Sequence, residues 1–403
     1  MGIAGTAANL TPEAPSGGRY APRGALAGIC LTVKFLYGFY FSAIGVLFHA
    51  IGLSFRLGTA VEGALFPASF GSYVCGVLLF GSLSDRFARK WMIMIGIAIY
   101  VAGLIAFAVA GTFPAALLAS VLIGGGCGGM EAVASALAAN LFPERSASMI
   151  TLLQVAYGTG SLSSLLIVDS VLRHGWSWRP IFLALAAANV ALFLLLGLLR
   201  VPPTGRSSSG LSVAALLTVA RQRVFWLLCL AEALYVGSES GYYQLMPTYF
   251  RHELTDGARL VRWIAVFWIA MTAGRLIAAP IADRFRYTRF AAALALAAAI
   301  ASALTVACRA PGMIILCVAL TGLSMSAIFG LLLAEANKRF SNLTGTVIGA
   351  VIASGGVGGS TVPWLMVALA TPYGWRCALS IVPAISVAVV GFNLIITRIP
   401  RES

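Results

Sequence analysis

Five ionisable side chains stand deep within long apolar runs of this 403-residue chain: Lys34, Glu131, Glu232, Glu239 and Arg275. A charge at the centre of a membrane helix costs about 2.5–3.5 kcal/mol, so such residues mark pathways, relays and paired charges. Burial disfavours an ionised carboxylate, and a neighbouring ammonium favours it again. Glu131 with Lys34 therefore has two readings: a proton-carrying pair, or a fixed ion pair that neutralises two buried charges. Arg275 offers a bidentate fork for a solute carboxylate, or belongs to a bracing network around Asp283. Glu239 reads as a gate or packing group, or as part of a solute-contacting surface with Tyr235, Ser238, Tyr242, Tyr243 and Gln244. Rings in such a surface stack on apolar solute faces while hydroxyls hydrogen-bond. Aromatic residues near a span's outer end equally suit an interfacial belt. Glu62, Asp169 and Glu335 lie closer to the ends of apolar runs, within reach of interfacial water.

A second group of charges sits between runs. Gly81-Ser-Leu-Ser-Asp85-Arg86-Phe-Ala-Arg89-Lys90 has a weaker copy in Ala279-Pro-Ile-Ala-Asp283-Arg284-Phe285, followed by Arg286 and Arg289. A helix ending near Gly81 or Ala279 places negative backbone charge beside these cations. The Asp can pair with its neighbours and brace the helix it follows, and Gly81 lets another helix approach closely.

The elements that position these residues follow from composition. The chain is 60% hydrophobic and 10% charged, against about 25% charged in soluble domains. Apolar runs of 18 residues or more recur, each able to cross the roughly 30 Å hydrocarbon core as a helix. The formal net charge of +14 comes from cations placed singly or in pairs between runs. No basic stripe with interleaved aromatics occurs, so orientation in a lipid bilayer explains them and nucleic acid does not. Seven cysteines lie in or beside apolar runs, without CxxC spacing or a nearby His, and read as packing residues rather than disulfides or metal ligands. No cofactor is expected.

The pattern predicts an all-α membrane protein with twelve transmembrane helices. Spans fall near 26–50, 62–82, 91–110, 115–138, 148–170, 180–200, 224–247, 261–281, 290–308, 313–335, 345–369 and 377–397. Residues 1–23 form a disordered tail, 24–200 a first six-helix bundle, 201–223 a linker, 224–398 a second bundle and 399–403 a short tail. About 17 Arg and Lys lie on the side of the termini and about 8 opposite, which puts both termini and both Asp loops in the cytoplasm. The halves repeat each other. Ala139-Asn140 after span 4 aligns with Ala336-Asn337 after span 10, and Gly175-Trp-Ser-Trp178-Arg179 resembles Tyr373-Gly374-Trp375-Arg376. Lys34 and Glu131 each stand about eight residues, roughly 12 Å, from the cytoplasmic end of their span, which puts the two at one depth.

The Gly81–Lys90 loop resembles the cytoplasmic loop between helices 2 and 3 of the major facilitator superfamily, with Ala88 where that family usually has Gly. The resemblance implies a gating role for Gly81, Asp85, Arg86, Arg89 and Lys90, and for Asp283 and Arg284 in the copy. It also implies a substrate site near the membrane midplane between two parallel six-helix halves, lined by spans 1, 4, 7 and 10. Gly124-Gly-Gly126-Cys-Gly-Gly129-Met-Glu131, Asn140, Gln154 and Gly158-x-Gly160 are similar to the span 4–5 region of fucose–proton symporter-like proteins. Leu234–Glu239, Gly274-Arg275 and the span 11 glycines with Pro363 follow the same subfamily. By that likeness Glu131 is the proton-coupling carboxylate and Gln154 a substrate contact, with Tyr157 beside it. Tyr235, Glu239, Tyr242 and Arg275 complete the expected substrate set.

One departure changes the expectation. The subfamily has an acidic residue in span 1, where this chain offers Lys34, and a lysine suits an anionic solute such as a sugar acid or carboxylate. The reading is a monomeric inner-membrane transporter that imports a small polar organic solute (a sugar, sugar acid or carboxylate) with protons by alternating access. An exporter of drugs, siderophores or metabolites is the alternative, although span 5 lacks the Gly-Pro pattern of superfamily antiporters. A transporter-like sensor is a further reading. Nothing resembles a nucleotide loop, metal cluster or nucleophile–base pair, so an enzyme is not expected.

Overall fold

The computed structural model describes residues 20–55, 65–202, 213–253 and 264–400. Residues 1–19, Glu62, the linker residues 203–212 and residues 401–403 lie outside them, as does the Asp169 side chain. No strand occurs among the described residues. Spans 1 to 6 are the helices Arg23–Phe55, Leu65–Arg86, Arg89–Val109, Phe113–Leu141, Ser146–Arg173 and Arg179–Leu198. After a short helix, Val213–Arg221, spans 7 to 9 are Arg223–Glu253, Ile264–Ala278 and Tyr287–Ala307. Span 10 comes in two pieces, Pro311–Met325 and Ile328–Arg339, and spans 11 and 12 share the segment Thr344–Arg398. Nine segments among the described residues are long and apolar enough to cross a membrane. With the shorter or more polar spans 2, 7 and 8 they make the expected twelve.

Three departures from the expected boundaries have local causes. Span 2 does not end near Gly81 but runs to Arg86, so the Asp85 carboxylate is carried on the helix itself. Span 8 stops at Ala278, because Pro280 has no N–H for the helical ladder and disfavours helical geometry just before it. Span 10 breaks at Ser326, whose carbonyl accepts a hydrogen bond from Arg275 Nε at 3.3 Å. Between spans 11 and 12 the chain turns at Gly374, with φ of 84°, a conformation that glycine adopts without Cβ strain.

Packing repeats between the halves. Span 1 lies on span 5, span 2 on span 4, and span 3 on spans 4 and 6. In the same way span 7 lies on the span 11–12 segment, span 8 on span 10, and span 9 on span 10 and the span 11–12 segment. The halves meet through span 2 against span 11, and span 5 against spans 8 and 10. Association in lipid depends on close packing rather than on hydrophobic exclusion, which favours small residues at crossings. Spans 1 and 5 touch backbone to backbone: a Cβ at Gly160 would fall on the Phe35 carbonyl, and one at Gly38 on that of Tyr157. Gly160→Ala is expected to destabilise the purified protein by about 1–3 kcal/mol in thermal unfolding. Gly28→Ala, on span 1 with nothing within 4 Å of its Cβ position, should be neutral.

Candidate functional site

Lys34 and Glu131 meet between spans 1 and 4. The ammonium donates to Glu131 Oε1 in an ion pair whose side chains are 1% and 5% exposed. The second carboxylate oxygen, Oε2, is buried with no hydrogen-bond partner among the described residues. Aromatic rings close around the pair. Lys34 Nζ lies 5.8 Å from the Tyr37 ring centroid and 5.9 Å from that of Phe329 on span 10. Tyr37 stacks on Tyr73 of span 2 at 6.0 Å and packs against Tyr157 of span 5 at 5.3 Å. The pair thus belongs to the first half, with its far wall supplied by the second.

Tyr157 is the hinge of this arrangement. Its phenol is within electrostatic reach of Glu131 on one side and of Tyr243, Arg275 and Glu239 on the other. One turn earlier on span 5, the Gln154 side chain is buried and its Nε2 has no partner among the described residues. A buried amide N–H left unmatched costs about 1–3 kcal/mol, and Gln154 Nε2 and Glu131 Oε2 are two such unmatched atoms among the described residues.

The second half contributes Arg275 and Glu239. Arg275 is buried and donates to two backbone carbonyls, Ser326 at 3.3 Å and Gln154 at 3.1 Å. It therefore ties span 8 to the break in span 10 and across to span 5. Its hydrogen bonds do not reach the Asp283 loop, which corrects the bracing assignment. Glu239 lies within reach of Arg275 and of the Tyr235 hydroxyl. The Tyr235 hydroxyl also donates to the Met325 carbonyl at 2.8 Å. Tyr242 does not share the facing surface expected from the sequence. It is fully buried in the second half, its hydroxyl 2.8 Å from Thr305 Oγ1 of span 9. The ring on that helix that turns to the centre is Tyr243, one turn after Glu239, 5.0 Å from Trp268.

The Asp loops make a second, separate arrangement. Asp85 does not brace its own helix. It crosses to span 11, accepting hydrogen bonds from Gly345 N at 2.8 Å, Thr346 N at 2.7 Å and Thr346 Oγ1 at 2.7 Å. Asp283 makes the mirrored contact with span 5. It accepts from Ala147 N at 3.2 Å, Ser148 N at 2.9 Å and Ser148 Oγ at 2.5 Å, and also from Tyr287. In each case a carboxylate of one half meets the positive N-terminus of a helix in the other, where free N–H groups and the helix dipole favour an anion. Gly81 and Gly345 touch beside the first contact, leaving no room for a side chain at either.

Arg89 is buried and donates to the Asn140 side-chain oxygen at 2.6 and 2.9 Å, with the amide turned so that its nitrogen meets Asn337 Oδ1 at 3.2 Å. Asn337 in turn bonds Ser146 Oγ at 3.3 Å and Thr344 Oγ1 at 3.1 Å. Lys90 caps the end of span 6, through the carbonyls of Gly197 at 2.8 Å and Leu199 at 2.7 Å. Arg339 does the same for span 12 through Ile396 and Ile399. Arg339 also holds Glu335 at 2.7 Å, so Glu335 is a buried partner and not an interfacial carboxylate. Arg86 and Arg284 are exposed.

The model of the major facilitator superfamily matches residues 30–363. The chain belongs to the major facilitator superfamily. That family is one of membrane transporters, not enzymes. Among solved structures, the superfamily member resembles the Escherichia coli fucose:proton symporter at a TM-score of 0.82 and 16% identity, over 94% of this chain and 100% of that one. A human organic anion transporter gives 0.74 at 17% identity, covering 93% and 100%. At such identities the likeness shows the fold alone. In sequence, a putative metabolite transport protein of Haemophilus influenzae is 28% identical over 265 residues, 61% of this chain and 64% of that one. The 3-(3-hydroxy-phenyl)propionate transporter of Escherichia coli is 30% identical over 101 residues, a quarter of each chain. The chain thus spans 64% of the first of these curated relatives and 25% of the second.

Proposed function

We propose that this protein imports a small organic carboxylate, a sugar acid or a related ring-bearing acid, together with a proton across the inner membrane. The observation that carries the reading is the Lys34–Glu131 ion pair, buried in the first half against Phe329 of the second, with one carboxylate oxygen lacking a partner among the described residues. The four charges nearest the centre, Lys34, Glu131, Arg275 and Glu239, cancel. A proton on Glu131 removes one negative charge and releases the Lys34 ammonium from its partner. The site then carries one surplus positive charge, which a solute carboxylate neutralises. Proton and anion are bound together because either one alone leaves a buried charge uncompensated, at several kcal/mol. Tyr37, Tyr73 and Tyr157 supply flat surfaces for an aromatic or sugar ring, and Gln154 supplies a donor. The name of one sequence relative agrees with such a cargo: it is a 3-(3-hydroxy-phenyl)propionate transporter, matched over a quarter of the chain.

A thermal-shift screen of the purified protein with neutral sugars, sugar acids, aromatic carboxylates and siderophores tests this. A carboxylate at a hundred times its dissociation constant should add about 2.7 kcal/mol of stability, and more in mildly acidic buffer than in alkaline buffer. Stabilisation by neutral sugars alone, or without pH dependence, would sink the reading. Orientation has its own test. A tag at Ser207 should react from the cytoplasmic side and one at Asp256 from the outside, and the reverse labelling would overturn the assigned direction.

A further inference from the structure

Of the five ionisable side chains set within spans, Glu232 takes no part in the scheme above. It is fully buried on span 7, and neither carboxyl oxygen has a hydrogen-bond partner among the described residues. An ionised, unpaired carboxylate in such a place costs several kcal/mol even after relaxation, and the usual escape is to bind a proton. On its own helix the groups within reach are Cys229, Tyr235 and Glu239. Span 11 meets it with Gly355 and Ser354, whose hydroxyl donates to the Cys229 carbonyl at 2.8 Å. The charges of other neighbouring elements are engaged elsewhere: Arg275 by two carbonyls, Arg339 with Glu335, and Lys338 over the Tyr287 ring. Arg221 of the short helix is exposed.

What makes the position informative is the wall between Glu232 and the opposite half. A side chain on Gly355 would meet Glu232 Cγ at 3.3 Å and Oε1 at 3.5 Å. A side chain on the next residue, Gly356, would meet Val74 at 3.2 Å and Phe70 at 3.5 Å, both on span 2. Here span 11 is a single backbone, bare on both faces, with the carboxyl behind it and the other half in front. Further toward the Asp85 end, spans 2 and 11 are clamped by the Asp85 contacts. Parting the two spans would bring water to the bare backbone and, through it, to Glu232.

We infer that Glu232 is a second proton-carrying carboxyl, protonated while spans 2 and 11 are clamped and deprotonated when they part. On release the carboxyl O–H bond breaks, the proton passes to water, and the carboxylate that remains is hydrated. The step needs no oxidant and no particular solute, so it stands apart from the cargo proposed above.

Infrared difference spectroscopy of the full-length protein in proteoliposomes, at neutral pH and without solute, tests it. The wild type should show a carboxylic-acid C=O band that Glu232→Gln removes, Glu232→Asp shifts and Glu131→Gln leaves in place. In the Asp85→Asn, Asp283→Asn protein, whose clamps are weakened, that band should shrink severalfold and return on acidification. If no band depends on residue 232, the carboxyl is ionised at rest and the inference fails. A band of full size in the unclamped protein would instead make Glu232 a permanently neutral packing group, which equally overturns it. Loss of the band in Glu131→Gln would assign it to the Lys34 pair and remove the second site while leaving the first intact.

Discussion

Glu131→Gln protein in proteoliposomes is expected to lose uptake driven by a pH gradient down to the level of empty vesicles, while exchange of labelled for unlabelled solute continues. Exchange needs no net proton release, so a carboxyl fixed in its neutral form supports it. The partner substitution separates coupling from scaffolding. Lys34→Met leaves the Glu131 carboxylate buried without its cation, a loss of about 3–5 kcal/mol for a broken buried pair, and the variant should express poorly. Adding Glu131→Gln removes the stranded charge, so the double variant should recover stability in thermal unfolding. What it must not recover is proton-driven uptake. A double variant that still concentrates solute against its gradient would reduce the pair to a structural ion pair.

The second large effect belongs to the Asp loops. Asp85→Asn with Asp283→Asn keeps the shape of both contacts but removes the charge facing each helix N-terminus. A carboxylate in a partly buried place of this kind contributes up to about 2 kcal/mol at each site. Losing about 3 kcal/mol shifts the balance between two packings by about a hundredfold, with a ligand or substitution acting only through their difference. Labels at Phe87 and Asn342, both exposed and on opposite halves, should move apart in the double variant when placed in a background without the native cysteines. An unchanged distance distribution, with unchanged turnover, would mean that the carboxylates do not hold this end closed.

Much of this architecture is legible in the residues themselves. The apolar runs give the twelve spans, since in lipid a helix must satisfy its own backbone. Equal depth puts Lys34 level with Glu131, and the resemblance to the superfamily, in which spans 1 and 4 line one cavity, is what brings them together. What sequence spacing does not supply is the partner across an interface. Asp85 sits among Arg86, Arg89 and Lys90, and the expected local pairing holds with Arg89, within electrostatic reach, while hydrogen bonds to the carboxylate come from backbone N–H groups some 260 residues away in the chain. Nothing in the composition of Gly345-Thr346 advertises a helix N-terminus aimed at an anion. Some of the rings near the buried charges are legible: Tyr37 follows Lys34 by one turn and Tyr243 follows Glu239 by one turn, spacings that place side chains on one face. Tyr73 and Phe329 carry no such signal, because no charged residue stands one turn from either. Tyr242 misled for the opposite reason, being adjacent to Tyr243 in sequence but turned by a helical step into the core.

The two Asp contacts have the form of an isologous interface, in which a residue of one unit meets a second patch on its partner and the partner repays the contact in kind. Asp85 with Thr346 and Asp283 with Ser148 are such a reciprocal pair, and Asn140 against Asn337 lies where the repeats confront their own counterparts. The protein is, in this sense, a two-fold dimer written as one polypeptide. In a symmetric pair of identical chains every side chain of one subunit recurs in the other. In one polypeptide the halves differ: the first holds a cation and a carboxylate as a pair, and the second holds an arginine bound to backbone, Glu239 within its reach, and Glu232 with no hydrogen-bond partner among the described residues.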